Sequence, residues 1–356
     1  MVAAPLRIAA ALCVLGTIEL GAQSLPRLEP LPVTPMLQAL DYRADGGLAI
    51  DRAGCLILYN SDAHSLTCID PRNGAFRSVG REGSGPSEFR LVTSMVAASD
   101  GGAIVYDAGN ARFALLSSGW RVTATVPHTP VLALLGTPRD SVLALTLPAA
   151  TASDLVAISL RTKVVTRRFS PSDVDSLKRF VDPAVQNGPW AKSIVPRRAG
   201  GWFIPAQREY VVFVADAKGV KQRQFGRPEL PPELPNAQEK EAIEAQFTRN
   251  TANVTPEVKK SVRQIFDQML RRPKAAMVVG AMAEDAQSRV WVGTTRIRND
   301  SSEVDVFNAA GKYLSTVRLP GKIQRLLIQG DELFALYEWL GSAREGMQGV
   351  GRYRVR

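Results

Sequence analysis

The chain has 356 residues, of which 45% are hydrophobic and 22% are charged. This composition supports a large buried core and excludes a largely disordered protein. The 44 basic residues outnumber the 34 acidic ones and give a formal net charge of +10, which favours anionic neighbours or simply a well-hydrated surface.

The first predicted element is a secretion signal that covers residues 1–23. It contains a basic residue, Arg7, an apolar run of about 11 residues from Ile8 to Ile18, and the small-residue cleavage zone LGAQS. That run is shorter than the roughly 20 residues of a membrane-spanning helix, and no later stretch is long and apolar enough to cross a bilayer. We therefore expect an exported protein, periplasmic or secreted, with no transmembrane segment after signal removal. Nucleic acid is not expected as a partner there.

The next predicted elements are four short strands in an antiparallel meander, a pattern that returns along the chain. The first unit reads GGLAIDRAG, CLILYNSDAHS, LTCIDPRNG and AFRSVG, where apolar runs end in turn residues at 51–54, 60–64 and 71–74. Further units begin near residues 95, 131, 193, 277 and 323. A short helix is predicted between the third and fourth units, at residues 170–180.

A period of about 40 residues with four strands per unit is typical of the blades of a β-propeller. The sixth unit is one strand short, whereas residues 26–37 precede the first unit and belong to no other. Because an unpaired sheet edge promotes aggregation, we predict that this N-terminal segment supplies the missing outer strand. The sequence thus predicts an all-β fold, a six-bladed β-propeller of four-stranded antiparallel blades in one domain, residues 24–356.

The stretch GREGSGPSEFR, residues 80–90, lies between the first and second units. We expect it to cross from the outer strand of one blade to the inner strand of the next, with glycines at positive φ and Phe89 between the blades. Together with GLAIDRAGCLILYN and YDAGNARF, this stretch resembles the exported six-bladed propellers related to NHL repeats, strongly over residues 46–127 and weakly over 131–227. The candidate contacts for a ligand or partner are four charged residues of this crossing: Arg81, Glu82, Glu88 and Arg90.

Residues 228–274 interrupt the repeat between the fourth and fifth units and are predicted to form a helical hairpin. Asn236 and Glu239 have capping-box spacing, and Thr255 followed by Pro256 marks a second helix start. One face of the second helix carries the apolar residues Val258, Val262, Ile265, Phe266, Met269 and Leu270. The hairpin is therefore a lid over a ligand, a docking element for a partner, or an element that packs on the outer blades.

Two cysteines remain after signal cleavage, Cys55 and Cys68, on neighbouring predicted strands of the first unit. Pairing of these strands about the turn at 61–63 places both side chains on one face, directly opposite or diagonal. A cross-strand disulfide is expected in an oxidising compartment, and the alternative is a pair of reduced core thiols. Because no histidine accompanies them at ligand spacing, the two cysteines do not predict a zinc site.

Residues suited to catalysis are sparse. Histidine occurs twice, at His64 and His128, and the chain lacks both a G-x-S-x-G motif and a phosphate-binding loop. Carboxylate and amide side chains recur near strand ends, where a propeller gathers them around one mouth. The candidates for a calcium site are Asp51, Asn60, Asp107 and Asn110. Such residues also bond their own backbone in tight turns, which explains the recurrence without a metal. No other cofactor is expected.

The leading hypothesis is a non-catalytic propeller, acting as a monomer, that binds a protein or small-molecule ligand at one mouth of its ring. Loops from every blade converge there on a rigid rim. The first alternative is a calcium-dependent propeller hydrolase or lyase whose channel carboxylates hold the metal. The second is a structural envelope protein that binds an anionic polymer through its basic surface, in a manner that depends on salt.

Overall fold

The structure is a computed structural model of the chain. It describes residues 25–98, 100–128, 131–136, 141–146, 154–159, 162, 165–169, 194–206, 209–231, 233–271, 273–340 and 346–356. The predicted secretion signal, residues 1–23, and the predicted helix at 170–180 lie outside the described residues. Within the described part of the chain, no helix has the length and apolar character needed to cross a membrane.

The described strands form six four-stranded antiparallel sheets, which we number as blades in chain order. Blade one contains β2 (Ala44–Ile50), β3 (Leu56–Asn60), β4 (Ser65–Ile69) and β5 (Phe76–Val79). Blade two contains β6 (Val92–Ala97), β7 (Ala103–Asp107), β8 (Arg112–Leu116) and β9 (Val122–Pro127). Blade three contains β10 (Val131–Gly136), β11 (Ser141–Thr146), β12 (Asp154–Ser159) and β13 (Val165–Phe169).

The second half of the chain repeats this order, and its last sheet takes in the N-terminus. Blade four contains β14 (Val195–Pro196), β15 (Trp202–Pro205), β16 (Val211–Ala215) and β17 (Lys221–Gly226). Blade five contains β18 (Met277–Glu284), β19 (Val290–Arg298), β20 (Ser301–Phe307) and β21 (Tyr313–Pro320). Blade six contains β22 (Lys322–Gln329), β23 (Glu332–Glu338), β24 (Gln348–Val355) and β1 (Leu28–Leu31). The predicted β-propeller, with four-stranded antiparallel blades and an N-terminal strand in the last one, is confirmed.

The second strand of blade one shows why these short apolar runs become strands. Neighbouring blades cover both of its faces, so alternation between apolar and polar residues is absent and four successive residues of β3 are buried. Ile57 and Tyr59 pack in a cluster with blade two, whereas Leu56 and Leu58 pack in a cluster with blade six. A single strand thereby contributes to two inter-blade cores.

The N-terminal segment closes blade six with a shorter strand than the predicted 26–37. Leu28 lies opposite Val355 in the register of β1 and β24, and the backbone groups of Arg27 and Arg356 exchange hydrogen bonds of 3.1 and 3.0 Å. Pro32 cannot donate to a sheet, and the chain turns instead into a short helix, α1 (Pro35–Gln38). Leu37 of α1 is fully buried with residues of blades six and one, so it fastens the start of the chain across that junction.

The helical insertion lies between β17 and β18 and contains α2 (Ala237–Asn250) and α3 (Pro256–Arg271). The capping box of α2 is present: the Glu239 amide donates to Asn236 Oδ1 at 2.9 Å, and the Asn236 amide donates to Glu239 Oε2 at 2.8 Å. The Phe247 and Phe266 rings join the two helices with centroids 5.3 Å apart. The helices therefore form a hairpin with its own small apolar contact.

The apolar stripe of α3 is only partly covered. Phe266 is buried against α2, but Val258 and Ile265 are 47% and 59% exposed. The Met269 side chain lies outside the described side chains. Packing of the whole stripe onto the outer blades, one of the three alternatives, is not what the described residues show.

Candidate functional site

The innermost strands of all six blades line one central cavity of about 480 Å³, which we call the channel. Each blade contributes through its first strand: β2, β6, β10, β14, β18 and β22. Most of its lining is apolar, with Leu48, Ile50, Met95, Leu134, Met282 and Leu326 among the contributors. Apolar walls with few polar groups are typical of small-molecule sites, which makes the channel the candidate functional site.

Arg325 places a guanidinium group inside this mainly apolar channel. It lies on β22 beside Leu326, and its side chain passes the backbones of the inner strands on both sides. A Cβ built on Gly47 of β2 would lie 3.3 Å from Nε, and one built on Gly280 of β18 would collide with Nη1. Burial lowers the pKa of the Arg325 guanidinium below its ordinary value because water no longer solvates the charge fully.

The two other ionisable side chains described in the channel lining are Arg198 and Glu284. Glu284, at the end of β18, is mostly buried, and its Oε2 accepts the backbone N–H of Arg198 at 2.6 Å. Arg198 follows β14 and is exposed. This hydrogen bond joins blades four and five at the end of the channel where the innermost strands finish.

A second cavity, of about 490 Å³, lies where the innermost strands of blades five and six begin. Ile243 of α2, Met277 of β18 and Ile323 of β22 are among its lining residues. Lys274, which follows the insertion, bonds the Glu239 carboxylate at 3.0 Å and holds α2 over this position. The insertion therefore lies at one mouth of the ring, at the end opposite to the Glu284–Arg198 contact.

The four predicted contact residues of the crossing, Arg81, Glu82, Glu88 and Arg90, lie outside the channel lining. Glu88 stabilises the loop itself, because its carboxylate accepts the Gly85 amide at 2.7 Å and pairs with Arg81 at 2.8 Å. The Gly85 amide and then Arg81 hold the pKa of the Glu88 carboxyl below its ordinary value. Glu82 and Arg90 are exposed on the same loop.

Contacts with blade two hold the crossing in place. Arg112 donates to three carbonyl oxygens of the loop, those of Ser84, Gly85 and Glu88, at 3.0, 2.6 and 2.6 Å. Phe89 is fully buried in the cluster shared by blades one and two, in agreement with its predicted position. These contacts describe an ordered connection.

The structure brings two of the four predicted calcium ligands together. Asn110 donates to Asp107 Oδ2 at 2.6 Å, and the other Asp107 oxygen accepts the amides of Arg90 and Leu91 at 3.2 and 3.0 Å. Asp51 lies in the turn that precedes β3, and Asn60 is the last residue of β3. The Asp51 oxygen accepts the amides of Ala53 and Cys55 at 2.9 Å each, as expected for an aspartate in a tight turn.

Asn60 accepts the amides of Asp62 and Ala63 at 2.9 Å each in the next turn. Asp51 also lies near both sulfur atoms of Cys55 and Cys68. Those sulfur atoms form the predicted cross-strand disulfide, with Cα atoms 5.7 Å apart, so they do not serve as thiolate ligands. Asp51, Asn60, Asp107 and Asn110 are thus all engaged in hydrogen bonds of the fold.

Sequence reasoning missed Arg325, although its signal is present. In the run KIQRLLIQ, residues 322–329, an arginine stands between Ile323 and Leu326, the two side chains that this innermost strand buries. A half-buried charge in such a strand, without an ion-pair partner among the described residues, is a candidate binding group. Arg325 lines the channel because β22 is the innermost strand of its blade, which the residue pattern of β22 alone does not reveal.

Comparisons with known proteins show the fold. Neither a protein-family model nor a curated protein matches the chain. Among solved structures, a Bacteroides fragilis protein whose name describes it as exported is 13% identical, with a TM-score of 0.54 over 95% of this chain and 97% of that one. A DUF4221 family member from Bacteroides vulgatus is 11% identical, with a TM-score of 0.53 over 94% and 99%.

A gluconolactonase from Xanthomonas campestris is 9% identical to the chain, with a TM-score of 0.50 over 93% of this chain and 97% of that one. At such identities the similarity establishes a β-propeller and nothing about activity. The relation to NHL repeats stays a prediction.

Proposed function

We propose that the chain is a non-catalytic binding protein outside the cytoplasm that takes a small ligand into the channel of a closed six-bladed ring. The observation that carries the proposal is the cavity of about 480 Å³ to which every innermost strand contributes. Its size falls within the range of roughly 300–1,000 Å³ that is usual for small-molecule sites. A ring of packed sheets gives such a site rigid walls, which lowers the entropy cost of binding.

Two findings support a location outside the cytoplasm. The Cys55–Cys68 disulfide suits an oxidising compartment, and a similar solved structure carries the description of an exported protein. The secretion signal predicted at residues 1–23 is part of this proposal, and its support is the sequence pattern alone.

The chemistry of the channel supports binding over catalysis. The ionisable lining residues that the structure describes are Arg198, Glu284 and Arg325, and the Glu284 carboxylate is occupied by a backbone amide. A general acid and base pair needs two proton-transfer groups that both reach the substrate, and an activated nucleophile needs a base in contact with it. The described lining offers Glu284 as its one carboxylate and no described histidine, cysteine or lysine. We keep the crossing at 80–90 and helix α2 as proposed contact elements at the mouth of the ring.

The proposal is tested by blocking the channel. Ala97 of β6 lines it and is half-buried, so Ala97→Trp fills the space, whereas Ala124→Trp makes the same change at an exposed position on the outermost strand β9. Wild type and both variants are screened by thermal shift against a library of small amphipathic metabolites, with and without chelator.

We expect library members that raise the melting temperature of wild type and of Ala124→Trp but leave Ala97→Trp unchanged. Ligands that stabilise all three proteins equally bind elsewhere and contradict the proposal, as does a library without any active member. A fall in melting temperature caused by chelator alone favours the calcium-dependent enzyme instead. Binding of an anionic polymer that is lost in salt and untouched by Ala97→Trp favours the envelope alternative.

A further inference from the structure

The channel contains one feature that a merely apolar pocket does not need. Arg325 lies on β22 between two buried apolar residues, Ile323 and Leu326, which are each 1% exposed. Leucine or methionine at this position would fill an inner strand without placing a charge there. The arginine therefore calls for an explanation in terms of what its guanidinium binds.

The surroundings of Arg325 are shaped for its side chain. Gly47 and Gly280 lie on the inner strands of blades one and five, on either side of β22, with φ of +101° and +79°. Added Cβ atoms would meet Nε in the first case and collide with Nη1 in the second. Two glycines thus leave room for the guanidinium between adjacent inner strands.

This guanidinium lacks a protein counter-ion in the described part of the chain. No described carboxylate lies within 4.0 Å of the Arg325 guanidinium, the limit for a salt bridge. Glu284, the one described carboxylate of the channel lining, accepts the Arg198 amide. Arg325 is half-buried, and partial burial of an unpaired cation is unfavourable to the extent that it removes solvating water. An anionic ligand in the channel would offset this cost of desolvating the Arg325 guanidinium.

We propose that the channel binds small amphipathic carboxylates, with Arg325 as the residue that recognises the carboxylate and the apolar lining as the wall that holds the body of the ligand. The inference rests on the proposed function of the channel and adds its ligand class. A guanidinium presents parallel N–H donors that match a carboxylate with two hydrogen bonds, which a lysine ammonium does not.

The test uses a matched pair of probes, sodium octanoate and octanamide, which share a body and differ in charge. Their dissociation constants are measured by isothermal titration calorimetry for wild type, Arg325→Met, Arg325→Lys and a control, Arg318→Met. Arg318 is exposed on β21, the outermost strand of blade five, and lies outside the channel lining.

We expect wild type and Arg318→Met to bind octanoate at least about tenfold more tightly than octanamide, the preference that one charge-assisted bidentate pair supplies. Arg325→Met loses this preference and keeps octanamide binding, while Arg325→Lys retains part of it. Arg325→Met also melts at the same temperature as wild type or higher without ligand, because it removes a half-buried charge that has no ion-pair partner among the described residues.

Equal binding of the two probes by wild type overturns the inference, and this comparison does not depend on whether any variant folds. If both probes bind equally and Ala97→Trp abolishes both, the channel function stands and the ligand class is wrong. If neither probe binds but library members do, the carboxylate inference again fails alone. If nothing binds in the channel, both proposals fail. A lower melting temperature of Arg325→Met with octanoate binding unchanged shows a purely structural arginine.

Discussion

Two crossings between neighbouring blades show how short and long connections can both join adjacent sheets. The crossing from blade one to blade two takes the twelve residues between Val79 and Val92 and is held by blade two itself. Asp107, which is fully buried, accepts the amides of Arg90 and Leu91, and Arg112 lies 3.7 Å from the Asp107 carboxylate. Phe89 fills the junction above them.

The crossing from blade four to blade five also has an arginine near a buried aspartate, but a helical insertion follows it. Arg227 follows Gly226, and its guanidinium lies 3.5 Å from the buried Asp305 carboxylate of blade five. Asp305 also accepts the Tyr210 hydroxyl at 2.8 Å and pairs with Arg296 at 2.8 Å. Burial and then the Asp305 charge raise the pKa of the Tyr210 phenol well above its ordinary value. The chain then continues into α2 and α3 before it reaches β18.

In both crossings, a buried carboxylate with an arginine partner anchors the connection. This holds for the short loop and for the long helical insertion alike. The short loop is fixed along its whole length by Arg112. The long connection is fixed near its start by Asp305, and Lys274 then holds α2 at the mouth of the ring through Glu239. Insertions are tolerated at such places because the blades on either side are already joined.

The largest expected effect comes from Phe89→Ala at the short crossing. The ring is fully buried between two blades, so its removal leaves a cavity and lowers the free energy of unfolding by about 4 kcal/mol. Urea unfolding followed by tryptophan fluorescence measures the loss. Phe76→Ala, at a 59% exposed site on β5, is the control and changes stability little. Equal effects of the two substitutions would contradict the inter-blade role.

At the long crossing, we expect Asp305→Asn to cost about 3 kcal/mol because it removes the fully buried carboxylate that Arg296 and Arg227 share. Each arginine then keeps one more accessible partner, Glu303 and Glu229 respectively. The control is Asp331→Asn, whose side chain is 67% exposed and only 3.8 Å from Arg354. Exposed pairs of this kind contribute at most about 1 kcal/mol. Denaturant midpoints of the two variants and wild type provide the comparison, and an unaffected Asp305→Asn would show that the root of the insertion is fixed by packing alone.

Removal of the disulfide tests blade one apart from its crossing. The bond joins residues separated by 13 positions, and the Cys55→Ser/Cys68→Ser variant is expected to lose about 2 to 3 kcal/mol, mainly through a less constrained unfolded chain. Wild type treated with reductant should unfold at the same denaturant concentration as this variant. Full stability after reduction would mean that the sulfur atoms contribute only packing.

The smallest effect is the pH dependence contributed by Glu88. Its pKa in the folded protein is lowered from the ordinary value, first by the Gly85 amide and then by Arg81. The contribution to stability is therefore complete above that ordinary value and disappears as the pH falls through the folded pKa. Glu88→Gln should be less stable than wild type near pH 7 and equal to it near pH 2. Glu82→Gln, at an exposed neighbour, should show no such trend in melting temperature.

Much of the fold follows from the spacing of apolar runs and turns. The strands of blades one and two were predictable because each ends in residues such as Asp51 and Asn60 that cap their own turns. Pairing of the N-terminal strand with the last sheet followed from the need to cover an edge. The length of that strand did not, since Pro32 and Pro35 divert the chain into α1.

The candidate site was much harder to predict. The sequence predicted ligand contacts at the charged crossing, residues 80–90, but Glu88 and Arg81 bond within the loop itself. Arg325 lies 278 residues from Gly47 in the chain, and only the circular arrangement of blades brings the two into contact. The spacing of apolar runs predicts which strand of each blade is innermost. A site formed by several blades also depends on which innermost strands lie next to one another in space.

The most direct test of a channel that binds small carboxylates is crystallography of the protein soaked with 4-bromobenzoate, with anomalous scattering to locate bromine. The account predicts one strong bromine peak inside the channel, among the innermost strands, with the carboxylate on the Arg325 guanidinium and no peak there in Ala97→Trp crystals. Bromine found solely on the outer surface, or a channel occupied with the carboxylate turned away from Arg325, would contradict it.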